Sequence, residues 1–182
     1  MQKLKIHLLG WITLIVFPIP AFLILYYFEG WSFSDFIQLE SFTTISVSYG
    51  IEVGIIYAFI ALAFLQAPVF QELPTKQADL IRGMNLNFFD ILFLSICAGV
   101  GEELLFRVGM QHYFGPFFTS IIFVAIHGYL NPMSWRKSLY GFVVLPLAFI
   151  LGYGYEEFGL WFSISAHFSY DLLVLYFFIK EK

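Results

Sequence analysis

Apolar residues fall in six long runs along this chain: Leu8–Phe28, Thr43–Leu65, Phe88–Met110, Tyr113–Leu130, Leu139–Tyr155 and Leu160–Ile179. A helix crosses a bilayer with about 20 mostly apolar residues, so each run predicts a transmembrane helix, the fourth and fifth being short for the task. One long polar connection, Gln66 to Asn87, carries Pro68, Pro74, Lys76 and Arg82. Trp31 to Glu40 mixes aromatic and acidic residues and is expected at the interface. Lys3 and Lys5 ahead of the first run superficially resemble a signal peptide. That run continues through Phe28 without a small-x-small cleavage pattern near its end, so it predicts a retained helix. There is no internal repeat or low-complexity tract. The expectation is an all-α membrane protein, one transmembrane domain over residues 1–182, built as a bundle of about six helices around a buried polar site. Its motif-bearing core covers about 88–179.

Composition agrees. With 60% hydrophobic and 12% charged residues, the chain has too little polar surface to be covered by water, and lipid is its expected solvent. The net charge of −4 matters less than where the nine basic residues stand. Lys3 and Lys5, Lys76 and Arg82, Arg136 and Lys137, and Lys180 and Lys182 fall in alternate loops and at the termini. The opposite loops hold Glu29, Asp35, Glu40, Glu156 and Glu157 and no cation. The positive-inside rule then puts both termini in the cytoplasm and independently supports an even helix count. No basic patch suits nucleic acid. Cys97 is the sole cysteine and lies in an apolar run, so no intrachain disulfide can form and a packed thiol is expected.

Ionisable side chains inside the runs change the picture. A charge at mid-bilayer costs roughly 2.5–3.5 kcal/mol on insertion scales, and such groups face partners or wet cavities. The runs contain Glu52, Glu102, Glu103, Arg107, His127, His167 and Asp171. Asp90 and His7 stand near the membrane surface. In E-E-L-L-F-R, Glu103 and Arg107 are four residues apart and share a helix face. Glu102 is turned away from Glu103 by about 100°. Gly99 and Gly101 just before them permit close approach of another helix. In H-F-S-Y-D, His167 and Asp171 repeat the four-residue spacing. From the expected topology, Glu102, His127, His167 and Asp171 lie roughly 10–20 Å below the non-cytoplasmic helix ends. One layer predicts one site.

A carboxylate beside a histidine in a partly dry cavity can bind and deprotonate water. A second histidine with a carboxyl or amide can stabilise the oxyanion formed on a peptide carbonyl. No serine or cysteine arrangement supports covalent catalysis, and the H-E-x-x-H zinc helix is absent. Ligands for zinc need only converge in space, so Glu102, His127 and His167 are the candidate ligands if a metal is bound. No cofactor is otherwise expected.

E-E-x-x-x-R at Glu102–Arg107, F-x-x-x-H at Phe123–His127 and H-x-x-x-D at His167–Asp171 occur in this order on successive hydrophobic segments. The ordered trio resembles the CAAX prenyl protease and bacteriocin-processing (CPBP) family of intramembrane peptidases over the C-terminal half of the chain. The resemblance implies a catalytic set of Glu102, Glu103, Arg107, His127, His167 and Asp171. Glu102 would activate water shared with His127, Glu103 and Arg107 would brace the site, and His167 with Asp171 would stabilise the oxyanion. The family often has Asn at the last position, and an aspartate there would act either as the protonated acid or by orienting His167. The resemblance implies a glutamate-dependent peptidase with a peptide or lipidated-protein substrate, working in a bilayer, with a metalloprotease as the variant. Prenyl proteases of eukaryotes cut on the cytosolic side, whereas the charge map puts the polar layer nearer the outer face. A chain this short looks prokaryotic, which favours peptide maturation or bacteriocin-related substrates in a plasma membrane.

Other readings compete. A buried ion pair could pin helix packing, and intramembrane Glu and His also build transporters and proton relays. A catalytically idle immunity or scaffold protein could share the fold. Paired broken helices of repeat-built transporters are not evident. Glu52 sits between Gly50 and Gly54 in a G-x-x-x-G spacing that favours helix contact. Glu156 and Glu157 lie in a loop without a basic partner and are expected to be solvated.

Overall fold

The computed structural model describes residues 2–67, 83–130 and 135–180. Most of the polar connection, with Pro68, Pro74, Lys76 and Arg82, lies outside the described residues, as do Lys182 and the side chains of Arg136 and Lys137. Among the described residues the chain is helical with no strand: α1 (Lys3–Glu29), α2 (Phe33–Ile37), α3 (Thr44–Leu65), α4 (Phe88–Glu103), α5 (Gln111–Ile126), α6 (Trp135–Phe158) and α7 (Leu160–Lys180). Apart from the five-residue α2, these are six helices. Four, Lys3–Glu29, Thr44–Leu65, Gly141–Phe158 and Leu160–Lys180, are long and apolar enough to cross a membrane. This is an integral membrane protein.

Close packing rests on small residues. A side chain at Gly50 or Gly54 of α3 would run into Ser165, Ala166 and Ser169 of α7. The two glycines let the backbones meet, and the serines return their hydroxyls to their own helix, as in Ser169 Oγ donating to the Ser165 carbonyl at 2.8 Å. On α4 the expected small residues serve two neighbours. Gly99 faces the backbone of α7 at Ile164 and Phe168, while Gly101 faces that of α1 at Thr13.

The fourth run differs from expectation. Helix α4 continues through a wide turn at Leu104–Met110 into residues 111–114, and Gly115 then takes φ 69° and ψ 170°. That backbone is open essentially only to glycine. Pro116 follows, where a first helical position needs no N–H. The chain folds back there, because Phe106 of the outgoing arm meets Phe123 of the return at 4.9 Å between ring centroids. The return arm, residues 116–126, is about 16 Å long, roughly half a bilayer core. The predicted span Tyr113–Leu130 is therefore a half-length helix that stops at His127. One face, with Thr119, Ser120, Phe123 and Val124, is buried in the bundle, where Ser120 Oγ donates to the Ala148 carbonyl at 2.8 Å, while Phe117, Phe118 and Ile126 are exposed on its outside.

The two ends of the bundle differ in charge. At one, Lys3 pairs with Asp90 at 2.6 Å, His7 Nε2 reaches the same carboxylate at 2.9 Å, and Lys180 lies over the Tyr176 ring. Phe88 touches Tyr176, so both described termini share this end. At the other, Tyr113 donates to Glu29 at 3.2 Å, Gln38 donates to Tyr155 at 2.7 Å, and Ser46 donates to the Phe158 carbonyl at 2.8 Å. Ser32 caps α2 there in a reciprocal box with Asp35. Those hydrogen bonds hold Asp35 below its ordinary carboxylate pKa.

Candidate active site

Gly115 sets the geometry of the site. Glu102 stands thirteen residues before the fold and His127 twelve after it, so the two arms of the hairpin carry them to one level. His127 Nε2 lies 3.5 Å from Glu102 Oε2. His127 is also the first residue beyond the last turn of α5. Its Nδ1 is 2.7 Å from the Phe123 carbonyl. A carbonyl can only accept, so Nδ1 carries the proton and, in the neutral ring, Nε2 presents a lone pair to Glu102. Phe123 packs against one face of the ring at 4.4 Å, and Tyr129 stacks parallel to it at 6.0 Å.

The second half of the cluster is drier. Glu103 and Arg107 are fully buried, with Arg107 Nε donating to Glu103 Oε2 at 2.8 Å. The other Glu103 oxygen, Oε1, is 2.8 Å from His167 Nδ1. An arginine beside it keeps Glu103 a carboxylate, so His167 Nδ1–H donates. That leaves His167 Nε2 facing Asp171 Oδ2 at 3.5 Å. Phe123 joins the halves, its ring centre 4.4 Å from that of His127 and 6.0 Å from that of His167. The Arg107 guanidinium lies 5.7 Å from the centre of the Phe123 ring, and its two terminal nitrogens have no hydrogen-bond partner among the described residues.

The sequence grouped Glu102, Glu103, Arg107, His127, His167 and Asp171, and α4, α5 and α7 bring all six together. Glu52 stands apart. It is two residues from both Gly50 and Gly54, about 200° around the helix from the face that meets α7, and it is exposed. Phe123 was legible only as a motif letter, yet its ring touches His127, His167 and Arg107. Tyr129 gave no signal, since a tyrosine near a membrane surface reads as an interfacial anchor. Among the described residues, no three His, Cys, Asp or Glu side chains converge to hold a metal ion.

Exposure rises in one direction. Side chains of Arg107 and Glu103 are sealed, whereas Glu102, Asp171 and His127 are 14%, 25% and 30% exposed. On α4 and α7 alike, the open members lie toward the end that carries Lys3 and Lys180.

Residues 84–173 match the model of the family described as type II CAAX prenyl endopeptidase Rce1-like. The chain is also similar to the uncharacterized protein YpbD of Bacillus subtilis (strain 168), at 31% identity over 131 residues. That stretch is 68% of this chain and 64% of the relative, so the chain spans less than two thirds of the relative's length. No solved structure matches. The matched segment contains all six residues of the cluster, with α4, α5 and α7 as far as Leu173, and through it the chain belongs to the Rce1-like CAAX prenyl endopeptidases, generally a family of proteases.

Proposed function

We propose that this protein is an intramembrane endopeptidase in which Glu102 and His127 activate one water molecule. The observation that carries the reading is the facing pair itself. Glu102 meets a histidine whose Nδ1 proton is held by a carbonyl, at a separation of 3.5 Å that suits a shared water. In the proposed reaction Glu102 takes a proton from this water while the oxygen attacks the peptide carbonyl carbon. His167, charged and held by Glu103 on one side and Asp171 on the other, donates from Nε2 to the developing oxyanion. Collapse of the tetrahedral intermediate breaks the C–N bond, and the proton on Glu102 passes to the leaving amine. Glu103 and Arg107 position His167 and take no part in bond making.

The reading runs without a metal, since the chemistry can be written on Glu102 alone. Membership of a membrane protease family supports a peptide or lipidated-protein substrate in a bilayer. The graded exposure supports entry from the lysine-bearing end. By the charge bias this end, with both termini, faces the cytoplasm of a prokaryotic cell. That reading removes the conflict between the depth of the polar layer and a cytoplasmic substrate, because the layer would be reached from within.

Purified protein in proteoliposomes, incubated with a membrane-anchored peptide library, tests this. Cleavage by the wild type and a loss of about 10²–10⁴-fold in Glu102→Gln are expected, with no effect of chelator. Unchanged cleavage in Glu102→Gln would falsify the assigned base. Loss with chelator that zinc restores would replace the metal-free reading.

A further inference from the structure

His127 closes α5 as part of a complete C-terminal cap. The Gly128 N–H donates to the Ala125 carbonyl at 3.0 Å and the Tyr129 N–H to the Val124 carbonyl at 3.3 Å. Gly128 takes φ 74°, the left-handed backbone that such a cap uses. Tyr129 also packs on the apolar core that holds Val124, the contact that commonly accompanies this cap. The segment is seated a second time on α6, where a side chain at Gly141 would come within 2.5 Å of the Tyr129 carbonyl oxygen. In a continuing helix, residues two apart do not face each other. The left-handed turn at Gly128 instead brings the Tyr129 ring within 6.0 Å of the His127 ring, at an interplanar angle of 11°.

We propose that Tyr129 is a positioning residue for the hydrolysis, its ring holding the His127 imidazole in the plane that turns Nε2 toward Glu102. This rests on the reading of Glu102 and His127 as the pair that activates water. His127 is the most exposed member of the cluster, at 30% against 14% for Glu102 and 25% for Asp171, so packing constrains it least. The hydrogen bond from Nδ1 to the Phe123 carbonyl fixes one point of the ring and leaves it able to swing about that bond. The last torsion of a histidine side chain has only broad minima of its own. Phe123 lies against the imidazole at 38° and does not align it. A parallel ring does, because turning the imidazole gives up the stacked contact. A turned imidazole withdraws Nε2 from the shared water, and a misplacement of about 1 Å costs about 10²-fold in rate. The flat ring carries this role, and the phenol hydroxyl is not needed for it.

Tyr129→Leu keeps an apolar group on the core beside Val124 and removes the flat ring, which Tyr129→Phe retains. In proteoliposomes Tyr129→Leu is expected to lower kcat about 10²-fold with KM little changed, and Tyr129→Phe to keep the wild-type rate. In a His127→Ala background the same leucine is expected to have no further effect, since the ring it would orient is gone. Nitrogen NMR of histidine-labelled protein at alkaline pH gives a readout that needs no cleavage. The His127 signal, assigned by its loss in His127→Ala, is expected to show the Nδ1–H form in the wild type and in Tyr129→Phe. Tyr129→Leu is expected to show an average of the two tautomers, and so is Gly141→Ala, which displaces Tyr129 from α6 and leaves both rings in the chain. An unaltered tautomer in Tyr129→Leu, or in Gly141→Ala should the first variant not fold, would overturn the proposal. So would an equal loss of rate with and without His127, the mark of a tyrosine that only anchors the fold. A wild type that cleaves nothing while the tautomer shifts as expected would overturn the peptidase reading alone.

Discussion

Glu102 and Glu103 are chemically identical neighbours with opposite environments, because one residue of helix turns a side chain by about 100°. Glu103 has an arginine, a histidine and no solvent, whereas Glu102 has one histidine and partial access. Their substitutions should therefore fail differently. Arg107→Met leaves Glu103 buried and unpaired by its guanidinium, and a loss of about 3–5 kcal/mol is expected in thermal unfolding of the purified protein. The double variant Glu103→Gln with Arg107→Met should recover part of that loss; a fully additive double variant would sink the ion-pair account. Asp171 acts through His167 in this account, so Asp171→Asn should retain most of the cleavage rate. Asp171→Ala should lose about 10–100-fold, the range for partners that orient a working histidine. Equal losses in the two would show that the negative charge itself is needed. The pairing of Glu103 with Arg107 was legible from spacing alone, because four residues put both on one face. The bond from Glu103 to His167 was not, since no spacing encodes contact between helices 64 residues apart.

Helix α5 shows what an apolar run leaves open. Tyr113–Leu130 has the composition of a membrane span, yet Gly115 and Pro116 take its first residues into the preceding rod and His127 ends it early. Burial against protein and burial in lipid demand the same side chains, so hydropathy cannot separate a half-length helix from a spanning one. Backbone conformation does. At φ 69° and ψ 170°, Gly115→Ala should cost about 1–3 kcal/mol of stability. It should also lower cleavage more than Gly83→Ala, which meets open space. Equal activity of the two variants would mean that the fold at Gly115 does not align Glu102 with His127. The glycines of α3 were easier to read. G-x-x-x-G signalled close contact, and the contact is with the serines of α7. Its neighbour Glu52 turned out to face the other way.

Over the whole molecule, the alternation of lysine-bearing and acidic loops gave the helix order before any coordinates. The described ends agree, with Lys3 beside Asp90 and Lys180 beside Tyr176 at one end and Glu29 beside Tyr113 at the other. The proposed direction of entry was hidden, because the exposure of Glu102, His127 and Asp171 is set by contacts between helices that no spacing encodes. A membrane-impermeant maleimide can fix the orientation. In a Cys97→Ala background, a cysteine at Lys180 should be protected in intact cells and one at Glu157 labelled; the reverse pattern would invert the topology. The central claim, that Glu102 and His127 serve one water, is tested most directly by a double-mutant cycle on the cleavage rate. Groups that act on the same molecule give losses that do not multiply, so Glu102→Gln with His127→Ala should fall about 10²–10⁴-fold, no further than the worse single variant. Losses that multiply across the two positions would contradict the account, and the pair would then be two independent contributors.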